Sequence, residues 1–355
     1  MKLLLTGGAG YIGSHVLLCC LQAGHDVCVL DNFSNSSPKA IERVEELCGR
    51  RVHVVSEDIR DGAMLKRILL RSKFDAVLHF AGVKSVSESV QRPIEYYDVN
   101  VVGSVALIRA MQDTGVFKLV FSSTAAVYGN QAVMPLTEAS SLGQAASPYG
   151  RSKRVVEQFL EDLSNSDSRF GVAILRYFNP VGAHSSGRIG EDPSGPPANL
   201  VPYAMQVAKG RRSVLSVFGN DYATNDGTGV RDYIHIMDLA EGHLAAMEYA
   251  FKFGGYRVWN LGSGKGHSVL EVIHELEEVI GHALPWKNAP RRAGDTAECW
   301  ASTELAAVDL GWSAKRGLSD MLVDQWRWQV QNPEGYRSSS IPKLRSSSGL
   351  PECGN

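Results

Sequence analysis

The chain has no long apolar run, no excess of charge of either sign, and no cysteines paired at metal-binding spacing. Each absence removes a class of function. No uninterrupted apolar segment reaches membrane-spanning length. The opening Met-Lys-Leu-Leu-Leu-Thr-Gly-Gly is too short an apolar run for a signal-peptide core before it enters a glycine turn. A formal net charge of -2, with basic and acidic residues interspersed, leaves no electrostatic footprint for nucleic acid or an anionic membrane. The six cysteines (Cys19, Cys20, Cys28, Cys48, Cys299, Cys353) contain no Cys-x-x-Cys pair, so free thiols in a reducing cytoplasm are expected and a metal site is not. No internal repeat is visible. A hydrophobic content of 44% and a charged content of 21% are those of an ordinary soluble globular protein. At 355 residues the chain can bury one large core, or a main domain with a smaller companion.

Short β-rich runs alternate with helical periods in the first half, the sign of a doubly wound parallel α/β sheet. The strand candidates are Lys2–Thr6, Asp26–Asp31, Val52–Ser56, Ala76–Phe80, Leu119–Ser123 and Val172–Tyr177. They are mostly continuous apolar runs, as expected where helices cover both faces of a sheet. Helices fit between them near 12–23, 39–48, 61–72, 93–113 and 149–165. Segment 180–198 holds four prolines and four glycines and predicts no regular element. Beyond it, a helix near 200–209, strands near Val214–Phe218 and Val258–Leu261, and helices near 238–251 and 268–280 predict a smaller mixed α/β lobe that forms a cleft with the sheet domain. The boundaries are 1–180, with later segments interleaved, and 181–335. Residues 336–355 contain six serines and few apolar groups, and predict a mobile tail.

Gly7, Gly10 and Gly13, with Tyr11 and Ile12 between the last two, follow a strand and open a helix. That context predicts a Rossmann-type dinucleotide turn: a tight bend, close backbone approach to a pyrophosphate, and close helix–strand packing. A turn that merely links strand to helix would look alike, and Asp31 separates the two readings. It ends the second strand 18 residues past Gly13, where a carboxylate accepts from ribose hydroxyls. The same charge repels a 2′-phosphate, and no Arg or Lys follows until Lys39, so NAD is favoured over NADP. Asp58-Ile59 ends the third strand and is placed either at the adenine or, for Asp58, as a helix N-cap. Phe80-Ala81-Gly82-Val83-Lys84 ends the fourth and is expected along the middle of the cofactor.

Tyr149 and Lys153, four residues apart, share one face of a predicted helix. A free phenol, with a pKa near ~10, is a poor base at neutral pH. A lysine cation and a positive nicotinamide ring both favour the phenolate. Thr124 or a neighbouring serine of Ser122-Ser123-Thr124 lies at the carboxyl edge of the fifth strand and is expected to hydrogen-bond the substrate oxygen.

With the glycine turn, this pair resembles the extended short-chain dehydrogenase/reductase superfamily. Within it, Tyr177-Phe178-Asn179-Pro180-Val181-Gly182-Ala183, Gly190-Glu191-Asp192 and Gly229-Val230-Arg231-Asp232-Tyr233-Ile234-His235 resemble the UDP-glucose (UDP-galactose) 4-epimerases, from Met1 to about Gly335. The resemblance implies NAD held also by Asn32, Asn35, Ser36, Lys84, Asn100, Ser122, Tyr177 and Phe178. It implies a UDP-sugar held by Lys84, Thr124, Tyr149, Asn179, Asn199 and Leu200, with Ser216-Val217-Phe218 around the uracil. Arg231 and Arg292 would neutralise the diphosphate and Asp295 would meet the uridine ribose. His235 receives no role. A homodimer through the 93–113 and 149–165 helices is likewise implied.

The implied reaction is a closed cycle. Tyr149 takes the C4 hydroxyl proton as hydride leaves C4, the 4-keto sugar swings about its diphosphate link, and hydride returns to the opposite face. Related dehydratases or reductases are the alternative, but the dehydratases place Asp-Glu after the strand-end Thr, where this chain has Ala125-Ala126. A catalytically silent nucleotide-sensing module is a third reading, against which intact Tyr149 and Lys153 argue. Cys299 stands where narrow-specificity bacterial members carry Tyr and broader members a small residue. The resemblance therefore implies activity on UDP-GlcNAc and UDP-GalNAc as well, although a free cysteine is more commonly just a small buried hydrophobe.

Overall fold

The computed structural model describes residues 1–337 apart from 132, 144, 194, 196, 198 and 293. Strands and helices alternate first: β1 (Lys2–Thr6), α1 (Tyr11–Gln22), β2 (Asp26–Leu30), α2 (Pro38–Cys48), β3 (His53–Val55), α3 (Gly62–Ser72) and β4 (Ala76–His79). Then come α4 (Val86–Gln91), α5 (Pro93–Tyr97), α6 (Gly103–Thr114), β5 (Lys118–Thr124), α7 (Pro148–Ser166) and β6 (Gly171–Tyr177). The later elements are β7 (Asn179–Val181), α8 (Leu200–Ala208), β8 (Leu215–Phe218), β9 (Val230–His235), α9 (Ile236–Phe253) and β10 (Gly255–Leu261). They continue with β11 (Gly266–Ser268), α10 (Val269–Ile280), β12 (Trp286–Ala289), β13 (Glu298–Cys299), α11 (Glu304–Leu310) and α12 (Leu318–Gln331).

Seven strands form one sheet in the order β10-β6-β5-β4-β1-β2-β3, and every pair in it is parallel. The alternation of side chains explains the continuous apolar runs. Leu3 and Leu5 of β1 join a core with Val16 and Leu17 of α1 and Leu239 and Met247 of α9, while Leu4 joins Leu65, Leu107 and Leu160 on the other face. Each fully buried leucine contributes on the order of 1.5–3 kcal/mol, so both faces must be covered for these runs to remain strands. β1 lies between β4 and β2, which places a topological switch point at the carboxyl ends of β1 and β4.

A second sheet starts where the first ends. β7 follows β6 after one residue and pairs with β9, which also pairs with β11 and β13. β8 and β12 form a separate parallel pair. Met205 of α8, Ile273 and Leu276 of α10 and Leu322 of α12 share one core with Val217 and Tyr233. The chain thus enters this lobe directly from the carboxyl end of β6.

Several elements differ from the sequence reading. Helix 238–251 and strand 258–261, expected in the smaller lobe, belong to the large sheet as α9 and β10, with β10 the seventh strand beside β6. Segment 180–198 is not wholly irregular, because β7 extends to Val181. The helix expected over 93–113 is interrupted by a π-turn at Asp98–Val102 that turns Asn100 inward. Tyr336, placed in the tail, is only 9% exposed and packs on Trp328 at 4.9 Å between ring centres. The rest of the expected tail from 338 on, with Cys353, lies outside the described residues. No described helix is long and apolar enough to cross a membrane.

Candidate active site

The glycine turn is shaped by close approach. Gly7 adopts φ +72°, donates its amide to Leu30 O at 2.7 Å, and leaves no room for a Cβ, which would lie 2.6 Å from Ala81 N. A Cβ on Gly13 would stand 2.8 Å from Gly8 Cα, so the first turn of α1, with Tyr11 and Ile12, lies directly on the bend. Gly10 is the N-cap residue of α1 and has no side chain to cover the helix N-terminus. Asp31 buckles this turn to the next loop. Its buried carboxylate accepts from Ala9 N at 3.0 Å, Phe33 N at 2.9 Å and Ser36 Oγ at 2.8 Å. Asn32 and Asn35 lie in that same loop, and Asn32 Nδ2 donates to Asp58 at 3.0 Å.

Asp58 is not a helix N-cap. That role is filled by Asp61, which accepts from Met64 N at 2.9 Å. Asp58 instead accepts from the Arg60 amide and guanidinium, and Arg60 holds its carboxyl well below the usual carboxylate range. Ile59 beside it is buried. At the end of β4 the amides of Phe80 and Ala81 both donate to Thr6 O, at 2.8 and 3.0 Å. Asn100 then clamps Val83, two residues on. Its Oδ1 accepts from Val83 N at 2.9 Å, and its Nδ2 donates to Val83 O and to Ser152 Oγ, each at 3.0 Å. A Cβ on Gly82 would fall 2.8 Å from Asn100 Oδ1 and 3.6 Å from Lys153 Nζ. The strand end, the π-turn and α7 thus converge on one backbone position.

α7 starts with Ser147 accepting from Gly150 N at 3.2 Å and Pro148 in its first turn, which fixes Tyr149 at the head of the helix. Lys153, one turn on and 5% exposed, donates to Ser122 O at 2.8 Å. Burial pulls its ammonium down to about 8, against the opposing charge of Glu157. Burial also pushes the Tyr149 phenol above its ordinary value, while a hydrogen bond with the Thr124 side chain works the other way. The Tyr149 ring meets Tyr96 edge-on at 6.5 Å. Thr124 caps the 3-10 turn Ala125–Tyr128 by accepting from Ala126 N at 3.2 Å. Phenol, ammonium and hydroxyl therefore meet at the carboxyl edge of β5, an arrangement able to pass one proton to or from an alcohol.

Two groups behind this edge are absent from the sequence reading. Glu157, one turn beyond Lys153 and 1% exposed, accepts from Ser123 Oγ and pairs with Arg176 Nη2 at 2.8 Å. Arg176 Nη1 continues to Tyr128 Oη at 3.0 Å, which donates to Asn260 Oδ1 at 2.6 Å. The signal for them was an arginine within the run Val172-Ala-Ile-Leu-Arg-Tyr177 and an acid at i+4 from Lys153. The second group links Thr6 Oγ1 to His79 Nδ1 at 2.7 Å, His79 Nε2 to Ser104 Oγ at 2.9 Å, and Ser104 Oγ to Asn100 O at 2.5 Å. Burial holds His79 down at about 3, so it is neutral.

The other candidates lie at the ends of β4 and β6 and on the elements that follow. The Tyr177 phenol turns inward to His243, whose Nδ1 bonds Leu239 O at 2.7 Å, and Phe178 is buried beside Tyr128. Lys84 pairs with Glu191 at 3.0 Å. Asn179 lies on β7, Asn199 is the exposed N-cap residue of α8, and Leu200 opens that helix. Of Ser216-Val217-Phe218, the Val217 side chain is in the core at 1% exposure, leaving Ser216 and the 38% exposed Phe218 as surfaces. The Arg292 guanidinium lies 4.7 Å from the Phe218 ring centre and pairs with Asp295 at 2.9 Å; Ala293 between them is outside the described residues. Arg231 and Arg292 both act electrostatically on Tyr233. Cys299 on β13 is in register with Arg231 and packs with Phe178, Val127 and Ala301, the cluster that also takes in Ala125 next to Thr124. Burial pushes its thiol up to about 11. Among the described residues no group of His, Cys, Asp or Glu is arranged to hold a metal ion.

Residues 3–262 match the NAD-dependent epimerase/dehydratase family. The UDP-glucose 4-epimerase of Yersinia enterocolitica is 54% identical over 336 residues, 95% of this chain and 99% of its own. The structure superposes on UDP-glucose 4-epimerase from Stenotrophomonas maltophila, solved with bound NAD and formylated UDP-arabinopyranose. The TM-score is 0.92 and the identity 48%, over 94% of this chain and 99% of that one. The UDP-Glc/GlcNAc 4-epimerase of Campylobacter jejuni is also similar, with a TM-score of 0.82 and 40% identity over 93% of this chain and 99% of that one.

Proposed function

The chain belongs to the NAD-dependent epimerase/dehydratase family, among its UDP-glucose 4-epimerases, and from that premise we propose that it interconverts UDP-galactose and UDP-glucose, and UDP-GalNAc and UDP-GlcNAc. The observation that carries the proposal is the meeting of Tyr149, Lys153 and Thr124 at the end of β5, with Ala125-Ala126 and no acid directly beyond. Without an acid there, a 4-keto sugar is not readily dehydrated. The test is conversion of UDP-galactose to UDP-glucose by the purified protein with no NAD added; no conversion contradicts the proposal.

NAD is the cofactor, and the residues fit it: a glycine turn too tight for a Cβ at Gly7 or Gly13, a bare helix N-terminus at Gly10, and the Asp31 carboxylate beside that turn, where it would meet a ribose and repel a 2′-phosphate. When bound, NAD supplies an acceptor and then a donor of hydride for sugar C4. The protein supplies the rest. Tyr149 Oη removes and later returns the C4 hydroxyl proton, Thr124 Oγ1 steadies the reacting oxygen, and the Lys153 charge favours the phenolate. Asn100, Val83 and Gly82 fix the strand end against which Lys153 lies. Arg231 and Arg292 hold the diphosphate, with Phe218 and Ser216 beside the uracil and Asp295 toward the ribose. Tight binding of UDP with few contacts to the hexose lets the 4-keto ring turn over while its anchor stays bound.

Cys299 sets the range of sugars. It shares a cluster with Phe178 and with Ala125 next to Thr124, beside the proposed reacting groups. Cys299→Tyr is expected to lower turnover of the acetylated pair by about 10-fold or more while sparing the simple sugars, the scale of a 1–3 kcal/mol steric conflict. Equal loss on both pairs, or a wild type inert on UDP-GlcNAc, contradicts this role.

The protein works as a homodimer in the cytoplasm. Ile94 is 84% exposed, Val102 53% and Val155 40%, on the α5–α6 and α7 elements whose apolar groups a partner would cover. Wild type should sediment as a dimer and Ile94→Asp mainly as a monomer; a monomeric wild type refutes the interface. The described cysteines are all free thiols, which suits a reducing compartment. Cell fractionation that recovers the protein outside the cytoplasm contradicts that location.

A further inference from the structure

Loop 182–192 bridges the switch-point crevice. Tyr11, just after the glycine turn, donates its phenol to Gly182 O at 2.6 Å, and Lys84, beyond β4, pairs with Glu191 at 3.0 Å. No step of the reaction uses this loop, yet the far end of the chain grips it largely by its backbone. Gln325 accepts from Gly182 N at 3.1 Å, the Trp328 indole donates to Glu191 O at 3.1 Å, and Asn332 donates to Gly187 O at 2.8 Å. Tyr336 Oη accepts from Gly190 N at 3.1 Å and donates to Gly190 O at 3.2 Å, and the Tyr336 amide donates to Asp192 at 2.7 Å. A Cβ on Gly190 would come within 2.5 Å of the Trp328 indole, so that contact requires glycine at the first position of the Gly190-Glu191-Asp192 motif.

Arg43 closes the cluster from the cofactor side. It projects from α2, which follows the loop anchored by Asp31 and Ser36. Its guanidinium lies 5.5 Å from the Trp328 ring centre and 5.1 Å from that of Tyr336. It also donates to Arg188 O at 2.9 Å and to Asn332 Oδ1 at 2.7 Å. Trp328 is 1% exposed, so the grip is a packed core rather than a surface contact.

We propose that Arg43, Trp328 and Tyr336 form a clasp that retains the dinucleotide by holding loop 182–192 against Tyr11 and Lys84 across the crevice. The proposal rests on the NAD reading above. These are positioning residues. For a dinucleotide in the crevice to leave, the loop must lift, and lifting breaks the clasp's hydrogen bonds together, so the clasp governs release more than chemistry.

The test uses holoenzyme of the wild type, Arg43→Ala and the milder Tyr336→Phe. Each is diluted into excess alcohol dehydrogenase and ethanol, which reduces any released NAD to NADH and reports it by absorbance. Arg43→Ala should release NAD about 10-fold faster or more, and Tyr336→Phe about 3- to 10-fold faster, the scale of one or two lost hydrogen bonds. Both should recover wild-type kcat when NAD is added to saturation and should bind UDP as the wild type does. Release at the wild-type rate from both variants, or a kcat that added NAD does not restore, overturns the clasp. A wild type that holds no NAD overturns the reading of the cofactor site instead. Should Arg43→Ala fail to fold, Tyr336→Phe alone decides.

Discussion

Tyr149→Phe is expected to abolish nearly all turnover while leaving UDP affinity close to that of the wild type. In the proposed mechanism the phenol accepts the C4 hydroxyl proton, and losing a general base costs about 10²–10⁴-fold in kcat. UDP binding is spared because the groups proposed to hold it, Arg231, Arg292 and Phe218, belong to other elements, β9, the segment before β13, and β8. The local electrostatics also say how the phenol must be activated. Burial alone raises its pKa, and Thr124 only partly opposes that, so positive charge nearby has to bring the phenolate into range. Lys153→Met removes one such charge and should move Tyr149 ionisation to higher pH, readable by ultraviolet titration of the holoenzyme. Wild-type-like turnover by Tyr149→Phe, or an unmoved titration in Lys153→Met, removes the basis of the assignment.

Glu157→Gln is expected to have the largest effect of any change outside the reacting groups. The side chain keeps its shape but leaves the buried Arg176 guanidinium without its counter-charge. Breaking a buried pair from one side costs about 3–5 kcal/mol, measurable as a lower urea midpoint with an unchanged slope. A second effect follows from position. Burial holds the Lys153 ammonium at about 8, and Glu157 is the charge that opposes further depression. His79, which also feels Lys153, is neutral and adds no second cation beside it. Removing the carboxylate therefore lowers the Lys153 pKa further. A lysine is protonated below its pKa, so the alkaline limb of the kcat profile should move to lower pH. A stable variant with an unshifted alkaline limb would show that Glu157 neither stabilises the fold through Arg176 nor sets the lysine charge.

What was legible in the sequence was whatever depends on local pattern. The strands of the large sheet were readable because helices cover both faces, which makes Leu3-Leu4-Leu5 or Val172–Leu175 apolar without alternation. The glycine turn and the Tyr149–Lys153 pair were readable because spacing alone places them. Asp58 was not resolved, since a carboxylate after a strand suits either role, and only the neighbouring Asp61 shows which one caps α3. The seventh strand was misplaced because β10 returns to β6 from 78 residues on, Tyr177 to Gly255, a pairing that no local pattern encodes. The π-turn at Asn100 was hidden because its apolar period runs on almost unbroken. Arg231, Arg292, Phe218 and Cys299 come from separate turns and short strands, so only the family resemblance linked them. The Arg43 clasp was out of reach for the same reason, since its parts are 289 residues apart, Arg43 to Asn332.

The closed hydride cycle is tested most directly with UDP-galactose carrying deuterium at C4, given to the purified protein without added NAD. The proposed mechanism predicts UDP-glucose with the deuterium still at C4. Loss of the label from C4, or no conversion unless NAD is supplied, would contradict it.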